Sequence, residues 1–347
     1  MITCNIVCHS NSLHLSQIFT GFTSLHRTGE IRLTQECKKQ NHFDLRKPQH
    51  LRDAKDTHLL VTVNHRIKLY YDCHDSYEID EAIASEVDCY FKRSYQPSRV
   101  PDSLKAKVFS LGLNYPLYSA ESDTLEQERR SAFEQGWSNA EPLFRPMVEN
   151  MHSAPTSLQD PGVLFITRAW DPADNPDRSD EKMAERIQIN ETRARCVELL
   201  RQEFGDFFLG GFLHTDYAVR NYGQALLQDN GISPKANYTG LLKRYPVCVA
   251  TTGLHESIAW KMGEYVAFAR AIVSERLNFQ LPGDFTAGEN YLEFDEPKQC
   301  VAAVHKLLSD AGLRYGMMKR NYKYYLTYLR PDALIRRTLD IGLSGRS

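Results

Sequence analysis

Hydrophobic positions in the first 137 residues alternate between short apolar runs and stretches with a helical period. The runs are rich in β-branched and aromatic residues, as strands are, and the periodic stretches are typical of amphipathic helices. The predicted strands cover 2–9, 31–37, 58–75, 88–94 and 107–114, and the predicted helices cover 14–27, 79–87 and 123–137. Strands that alternate with helices indicate an open α/β domain.

A second alternation of the same kind begins at residue 162. Its predicted strands cover 162–168, 207–212, 246–252, 271–275 and 290–294. A polar loop at 171–180 leads into a long predicted helix that ends at about 204, and further predicted helices cover 218–228, 256–268 and 298–310. Asp295 is placed to cap the last of these helices, and Pro297 suits its first turn. The pattern predicts a second doubly wound domain, in which ligands bind beyond the carboxyl ends of the strands.

The stretch between the two alternations, residues 138–161, has no clear periodicity and contains four prolines. Such a stretch is typical of a domain junction. We therefore predict a first domain over 1–145 and a second over 160–325, with a cleft between them. A last helix, over about 319–339, is interrupted at Arg330-Pro331-Asp332, and residues 326–347 are predicted to be a return helix and tail.

Charge and cysteine usage narrow the class of protein. Forty-two basic and 44 acidic side chains give a formal net charge of −2, so nucleic-acid binding, which needs a basic face, is not expected. The chain has no apolar run of about 18 residues and no secretory leader, so we expect a cytoplasmic protein without a membrane-spanning helix. The 8 cysteines form no Cys-x-x-Cys pair, which favours reduced, buried thiols over disulfides or zinc.

Residues 246–312 are the most informative segment of the sequence. A predicted strand runs into Thr251, Thr252 and Gly253 and then into a predicted helix, and free N–H groups at such a helix start can hold a phosphate. An ordinary strand–loop–helix turn explains the same pattern. Glu256 and Glu264 follow, separated by seven residues. That spacing alone is not diagnostic, since short motifs also occur by chance.

With its flanking sequence, this segment resembles the C-terminal domain of GT-B glycosyltransferases of the group 1 type, which carry a Glu-x7-Glu element. Residues 263–275 resemble that family's second Glu, helix end and strand, and residues 288–297 and 301–314 resemble its closing turn and helix. The resemblance covers roughly 160–325, while the N-terminal half agrees in architecture only. It implies an α/β fold of two Rossmann-like doubly wound domains facing a cleft, with a C-terminal helix that crosses back to the first domain.

The resemblance also implies roles for particular residues. Glu264 would accept hydrogen bonds from the donor's ribose hydroxyls, and Glu256 would contact the donor sugar. The neighbours of Glu256 depart from the family pattern, and on one continuous helix the two carboxylates would lie about 80° apart around the axis. Arg168 would neutralise the donor pyrophosphate, with Lys261, one turn before Glu264, as its cationic partner. The alternatives are solvated helix positions for Glu256 and Glu264, a surface position for Arg168 and a Lys–Glu helix pair for Lys261.

The acceptor side is predicted from the N-terminal half. Asp72 and Asp75, with His74 and Glu78, stand between a predicted strand and a predicted helix, where a carboxylate could be the general base for an acceptor hydroxyl. The alternative is a helix cap at Asp75 or Ser76. Weaker base candidates are His9 and His14. Lys92, Arg93 and the segment 112–114 also stand at predicted strand ends.

Together these features predict a metal-independent transferase without a cofactor. It would move a sugar from a nucleotide-sugar donor to a hydroxyl of a glycan or lipid-linked acceptor, in bacterial surface polysaccharide assembly, with retention favoured over inversion. Peripheral contact with the inner membrane and the oligomeric state stay open. The alternatives are a nucleotide-sugar epimerase on the same fold and a non-catalytic scaffold. Thermal stabilisation by a nucleotide separates the scaffold from the other two.

Overall fold

The computed structural model describes residues 1–8, 12–37, 57–120, 146–157, 161–176, 178–228 and 235–344. His9, the predicted helix over 123–137 and two parts of the predicted junction, 138–145 and 158–160, lie outside the described residues. The chain divides into two compact units. The first contains Met1–Met151, Phe279–Asp284 and Tyr325–Ser347, and the second contains His152–Asn278 and Phe285–Tyr324. Residues 279–284, which fall inside the sequence-based second domain, thus pack with the first unit.

The described part of the first unit contains a six-stranded sheet in the order β2-β1-β3-β4-β5-β6. Its strands are β1 (Ile2–Cys8), β2 (Ile31–Cys37), β3 (His58–Val63), β4 (Ile67–Asp72), β5 (Cys89–Lys92) and β6 (Val108–Ser110). Its helices are α1 (Ser16–Arg27), α2 (Glu81–Glu86) and α9 (Pro331–Ser344). The sequence therefore places these strands correctly and predicts the α/β class.

One strand departs from the parallel order of a doubly wound sheet. Strand β3 is antiparallel to both β1 and β4, whereas β1–β2, β4–β5 and β5–β6 pair in parallel. The two strand-like stretches predicted within 58–75 form a hairpin whose turn contains Asn64 and His65, both at positive φ. Three linking residues are too few for the crossover that a parallel pair requires. The Asn64 side chain also accepts a hydrogen bond from the N–H of Thr3 at 2.9 Å.

The core of the first unit lies where α1 and α9 pack on the sheet. Ile18 and Phe22 of α1, and Leu334 and Ile335 of α9, are buried against Val61, Leu69 and Phe91 of the strands. Helices α1 and α9 approach closely because Gly21 has no side chain: a Cβ there would collide with Ile335 and with the carbonyl of Pro331. The last helix therefore completes the core of the first unit.

The described part of the second unit contains a five-stranded parallel sheet in the order β11-β10-β9-β7-β8. Its strands are β7 (Val163–Thr167), β8 (Phe208–Phe212), β9 (Val247–Ala250), β10 (Ala271–Glu275) and β11 (Leu292–Phe294). Its helices are α3 (Asp180–Phe204), α4 (Asp216–Asn221), α5 (Lys235–Arg244), α6 (Trp260–Ala267), α7 (Pro297–Ser309) and α8 (Ala311–Tyr324). Val163, Val249 and Val273 of the sheet pack with Val197 and Val304 of the helices. The predicted strand–helix alternation of this half is confirmed.

Several predicted helix ends are wrong. The helix predicted over 256–268 starts only at Trp260, after a short 3₁₀ turn at Leu254–Glu256. The N-cap of α7 is Glu296, not Asp295, and the Gln299 side chain accepts from the N–H groups of both. The predicted last helix is two helices, α8 and α9, joined by a π-helical turn over Tyr325–Leu329.

Two further expectations concern compartment. Six cysteines, all buried, carry free thiols in the described residues, as expected for a reduced protein: Cys4, Cys73, Cys89, Cys196, Cys248 and Cys300. No helix in the described ranges combines the length and the hydrophobicity that crossing a membrane requires.

Candidate functional site

A cavity of about 250 Å³ opens at the carboxyl ends of β9, β10 and β11 in the second unit. This is the edge at which open α/β sheets bind ligands. Four elements supply its lining: one face of α3 (Glu185, Gln188, Ile189 and Thr192), the loop after β9 (Thr252, Gly253 and Glu256), the end of β10 (Glu275, Arg276 and Asn278) and the end of β11 (Phe294 and Asp295). The α3 residues recur at helical spacing, so one stripe of that helix forms a wall.

The charges around the cavity are mainly negative. The four carboxylates are Glu185, Glu256, Glu275 and Asp295, and Arg276 is the one cationic lining residue that the structure describes. Arg276 is itself paired with Glu293 at 3.2 Å and with Asp295 at 3.6 Å. Carboxylates accept hydrogen bonds and repel phosphate oxygens, so this lining suits a ligand part that presents hydroxyl groups.

In the loop after β9, the N–H groups that were predicted to hold a phosphate have partners within the protein. The N–H and the hydroxyl of Thr252 both donate to Oε2 of Glu275, at 2.7 and 3.0 Å, and the N–H of Gly253 donates to the carbonyl of Ser257 at 2.8 Å. Helix α6 begins seven residues after Gly253, so its N-terminus is not at this loop. The N–H groups of Thr252 and Gly253 are therefore bonded within the protein in this structure, and their predicted role at a phosphate stays a prediction. A Cβ at Gly253 would lie 2.7 Å from Oγ of Ser257, so a larger residue there would require that side chain to move.

Glu256 does lie at the cavity, held in an uncommon backbone conformation. His255 and Glu256 have φ values of 59° and 57°, in the left-handed region that side chains other than glycine seldom adopt. The N–H of His255 donates to Oε1 of Glu185 on α3 at 2.6 Å, which anchors the turn. The Glu256 carboxylate is exposed and lines the cavity. Strained turns of this kind occur preferentially at binding sites.

Glu264 and Lys261 lie on α6 and are not among the cavity-lining residues. The Lys261 ammonium donates to the Tyr238 hydroxyl at 2.9 Å and stands 4.3 Å from the centroid of that ring. Burial lowers the pKa of Lys261, and the nearby Glu264 carboxylate opposes that shift. The structure therefore brings Glu264 together with Lys261, and it does not bring Glu264 together with Glu256 around this cavity.

Arg168 follows β7, is exposed, and is not among the cavity-lining residues either. Its guanidinium carbon lies 5.6 Å from the centroid of the Trp170 ring. The backbone carbonyl of Arg168 accepts a hydrogen bond from Arg193 at 2.7 Å. The predicted role of this side chain at a pyrophosphate stays a prediction.

Sequence reasoning missed Arg193 and Glu275. Arg193 of α3 is only 5% exposed, and Glu275 ends β10. A signal was available for each. Arg193 stands one helical turn before Val197, on the buried face of its helix, where a charge is unusual, and Glu275 is the last residue of a predicted strand.

In the first unit, the two predicted base candidates are already engaged. Asp72 is 7% exposed and accepts from the Lys92 ammonium at 2.8 Å, the Tyr90 hydroxyl at 2.6 Å and the N–H of His74 at 2.9 Å. Asp75 pairs with the guanidinium of Arg93. The cap of α2 is Asp80, which accepts from the N–H of Ile83 at 3.0 Å, so the alternative prediction of a cap at Asp75 or Ser76 is wrong.

His14 lies beside this pair. Burial, helped by the Arg93 charge, lowers the pKa of His14 to about 4. Its Nδ1 lies 3.5 Å from a guanidinium nitrogen of Arg93, and its carbonyl accepts from the Asn114 amide at 3.0 Å. At neutral pH His14 is therefore uncharged, and its lowered pKa makes the imidazole a weaker base than an ordinary histidine.

Over the described ranges, no three His, Cys, Asp or Glu side chains are grouped so as to hold a metal ion. The expectation of a reaction without metal stays a prediction.

Comparison with known proteins gives structural similarities only. No protein-family model matches the chain, and no curated protein matches it by sequence. The structure is similar to a glycosyltransferase from Rickettsia africae (8% identity, 98% of this chain and 97% of that chain covered, TM-score 0.49). It is also similar to a putative UDP-N-acetylglucosamine 2-epimerase from Listeria monocytogenes (9% identity, 96% and 94% covered, TM-score 0.48).

A third similar structure is the C-terminal domain of the group 1 glycosyltransferase LpcC from Francisella tularensis. It is 14% identical, with 52% of this chain and 96% of that chain covered and a TM-score of 0.33. Two of these three proteins are glycosyltransferases, the class that the sequence resembles. No residue's role follows from similarities this low.

Proposed function

We propose that this protein is a glycosyltransferase that takes a nucleotide-sugar donor in the cavity of its second unit. The observation that carries the proposal is the position of that cavity at the carboxyl ends of β9, β10 and β11, with Glu256 of the Glu-x7-Glu element on its wall. The hydroxyl-accepting carboxylates there suit the ribose and sugar parts of such a donor. Arg168 and Lys261 remain the candidates for the donor's phosphates.

The proposed reaction moves a sugar to a hydroxyl of a glycan or lipid-linked acceptor. The bond between the anomeric carbon and the donor's phosphate oxygen breaks, a bond to the acceptor oxygen forms, and the acceptor proton goes to the departing phosphate. This retaining course needs no protein base. The contacts of Asp72 and Asp75 support a course without a protein base, because both carboxylates already accept hydrogen bonds, from Lys92 and Arg93. We propose a metal-independent cytoplasmic enzyme of bacterial surface polysaccharide assembly.

The first test is nucleotide binding. Thermal stabilisation and calorimetry with UDP, GDP and CMP should identify one nucleotide that binds the wild-type protein. Incubation with the matching nucleotide sugars should then release that nucleotide only when a saccharide acceptor is present. NMR of the product should show the donor's anomeric configuration. Interconversion of sugar epimers without transfer would indicate the epimerase instead, and no binding of any nucleotide would contradict both enzymes.

Substitutions test the two glutamates separately. Glu256→Gln and Glu264→Gln keep side-chain size and remove the charge, and each should lower turnover at least about a hundredfold, while Glu191→Gln on the exposed side of α3 should not. Glu264→Ala should also abolish transfer. Glutamine is the cleaner change at 264 because it removes the charge and keeps a polar side chain of the same size beside Lys261, whereas alanine removes both. Wild-type turnover in a folded Glu264 variant would overturn that residue's assignment.

A further inference from the structure

Arg193 of α3 connects two loops at the carboxyl edge of the second sheet. Its Nε donates to Oγ1 of Thr251 at 2.9 Å, one terminal nitrogen donates to the carbonyl of Arg168 at 2.7 Å, and the other donates to the carbonyl of Thr252 at 2.8 Å. Arg168 follows β7, and Thr251 and Thr252 follow β9. One buried side chain therefore holds the ends of two strands.

The connection continues to a third strand. The Thr252 carbonyl accepts a hydrogen bond from Arg193, and the Thr252 N–H and hydroxyl both donate to Glu275 at the end of β10. Thr252 and Glu275 both line the cavity. The Arg193 guanidinium and the Glu275 carboxylate thus bind opposite sides of Thr252. Together they hold the backbone of the cavity wall at that residue.

A charge at this position needs a reason beyond stability. Moving a guanidinium out of water is costly, and packed apolar side chains often stabilise a core as well as a buried ion pair does. The cost is visible here, since burial lowers the pKa of Arg193 to about 10, with the Glu275 charge opposing that shift. What an apolar side chain cannot supply is three directed hydrogen bonds to two loops, and the planar fork of arginine supplies them.

We propose that Arg193 is a positioning residue of the ligand cavity. It holds the loops after β7 and β9 in place. Thr252, on the second of these loops, then positions Glu275, and Glu256 lies on the same loop as Thr252. Both carboxylates therefore face the hydroxyl groups of a bound nucleoside. This inference rests on the proposed use of the cavity by a nucleotide-sugar donor. Arg193 is not itself a cavity-lining residue.

The test compares two arginines of one helix. Arg193→Lys keeps the charge but cannot reach all three acceptors, whereas Arg195→Lys changes an exposed arginine, 55% accessible, that pairs with Glu198. With the nucleotide that the wild-type protein binds, a folded Arg193→Lys variant should raise Kd about tenfold, and Arg195→Lys should leave Kd unchanged. A folded Arg193→Lys variant with wild-type Kd overturns the proposal.

A second variant covers the case in which Arg193→Lys does not fold. Thr251→Val keeps the shape of a buried side chain and removes one acceptor of Arg193, so Kd should rise about fivefold. The matched control is Thr338→Val in the first unit. It also removes a buried threonine hydroxyl, which lies 2.7 Å from the Tyr71 hydroxyl, but it does so outside the second unit. Equal Kd values for the two valine variants would contradict the proposal.

Amide hydrogen exchange separates failure of this inference from failure of the proposed function. Without any nucleotide, Arg193→Lys should speed exchange in the segment 251–256 relative to Arg195→Lys, because Thr252 loses its anchor. If the wild-type protein binds no nucleotide, the proposed function fails. In that case, equal exchange rates at 251–256 in Arg193→Lys and Arg195→Lys would also overturn the loop-holding role. If nucleotide binds both arginine variants equally well, only the positioning role fails.

Discussion

At the scale of single residues, the environment decides which charged side chains remain available for chemistry. Asp72 and Lys92 are 20 residues apart in the sequence, yet the parallel register of β4 and β5 sets them opposite each other, where they neutralise one another. Glu256 lies in a short turn after β9 and stays exposed at a cavity. The sequence places both carboxylates near the end of a predicted strand or the start of a predicted helix, and only the tertiary structure distinguishes them.

His14 gives a prediction at this scale. Its pKa is about 4 in the folded protein and near 6.5 when unfolded, so between these values the unfolded chain binds more protons. The stability that uncharged His14 provides is complete above pH 6.5 and is lost as the pH falls towards 4, by up to about 3 kcal/mol. Thermal unfolding of His14→Asn between pH 7 and 4 should therefore show a shallower loss of Tm than wild type.

The control for His14 is His65→Asn, an exposed turn residue at a positive φ that asparagine tolerates. It should keep the wild-type slope. Identical slopes for His14→Asn and wild type would show that burial and the charges of Arg93 and His74, which the Asp75 carboxylate opposes, do not hold the ring uncharged.

At the scale of elements, hydrophobic periodicity locates strands and helices well but locates their ends poorly. Core-facing positions set the period, so β1, β7, β10 and α7 lie close to where the sequence predicts them. Ends depend on which side chain reaches an unpaired N–H group. Before α6, the N–H of Gly253 donates to the carbonyl of Ser257 and closes a separate turn, so the helix begins several residues later than predicted. Hydrophobic periodicity does not predict such a turn.

The N-terminus of α7 gives a prediction for elements. The Gln299 side chain accepts from two backbone N–H groups at the start of the helix, at 2.8 and 3.0 Å, whereas the Asp295 side chain forms only an exposed pair with Arg276. Gln299→Ala should therefore destabilise the second unit by about 1 kcal/mol, and Asp295→Ala by less than about 0.5 kcal/mol. Denaturant unfolding of both variants measures this, and an equal loss would restore Asp295 as the cap.

At the scale of the whole molecule, two units with separate cores share one chain that passes between them more than once. Residues 279–284 and 325–347 return to the first unit after the chain has entered the second. Each core is formed by its own sheet and helices. Since separate cores unfold separately unless they are strongly coupled, we expect two thermal transitions.

Two perturbations and one control substitution should assign these transitions. Gly21→Ala forces a side chain between α1 and α9 and should lower only the first unit's transition, by about 1–3 kcal/mol. Gly240→Ala on α5 meets no neighbouring atom within 4 Å and should be neutral or stabilising. A bound nucleotide should raise only the second unit's transition, by about 2.7 kcal/mol at a hundredfold excess over Kd. Calorimetric scans in which every perturbation moves both transitions equally would contradict the division.

The sequence by itself determined the α/β class, most strand positions and the carboxyl-edge location of Glu256, because periodicity and strand-end position are local properties. Tertiary structure alone decided that β3 runs antiparallel, that Asp72 is neutralised, that Lys261 turns to Tyr238, and that Arg193 joins two loops. Each of these depends on which distant segments become neighbours, and burial then fixes the energy of every charge placed between them.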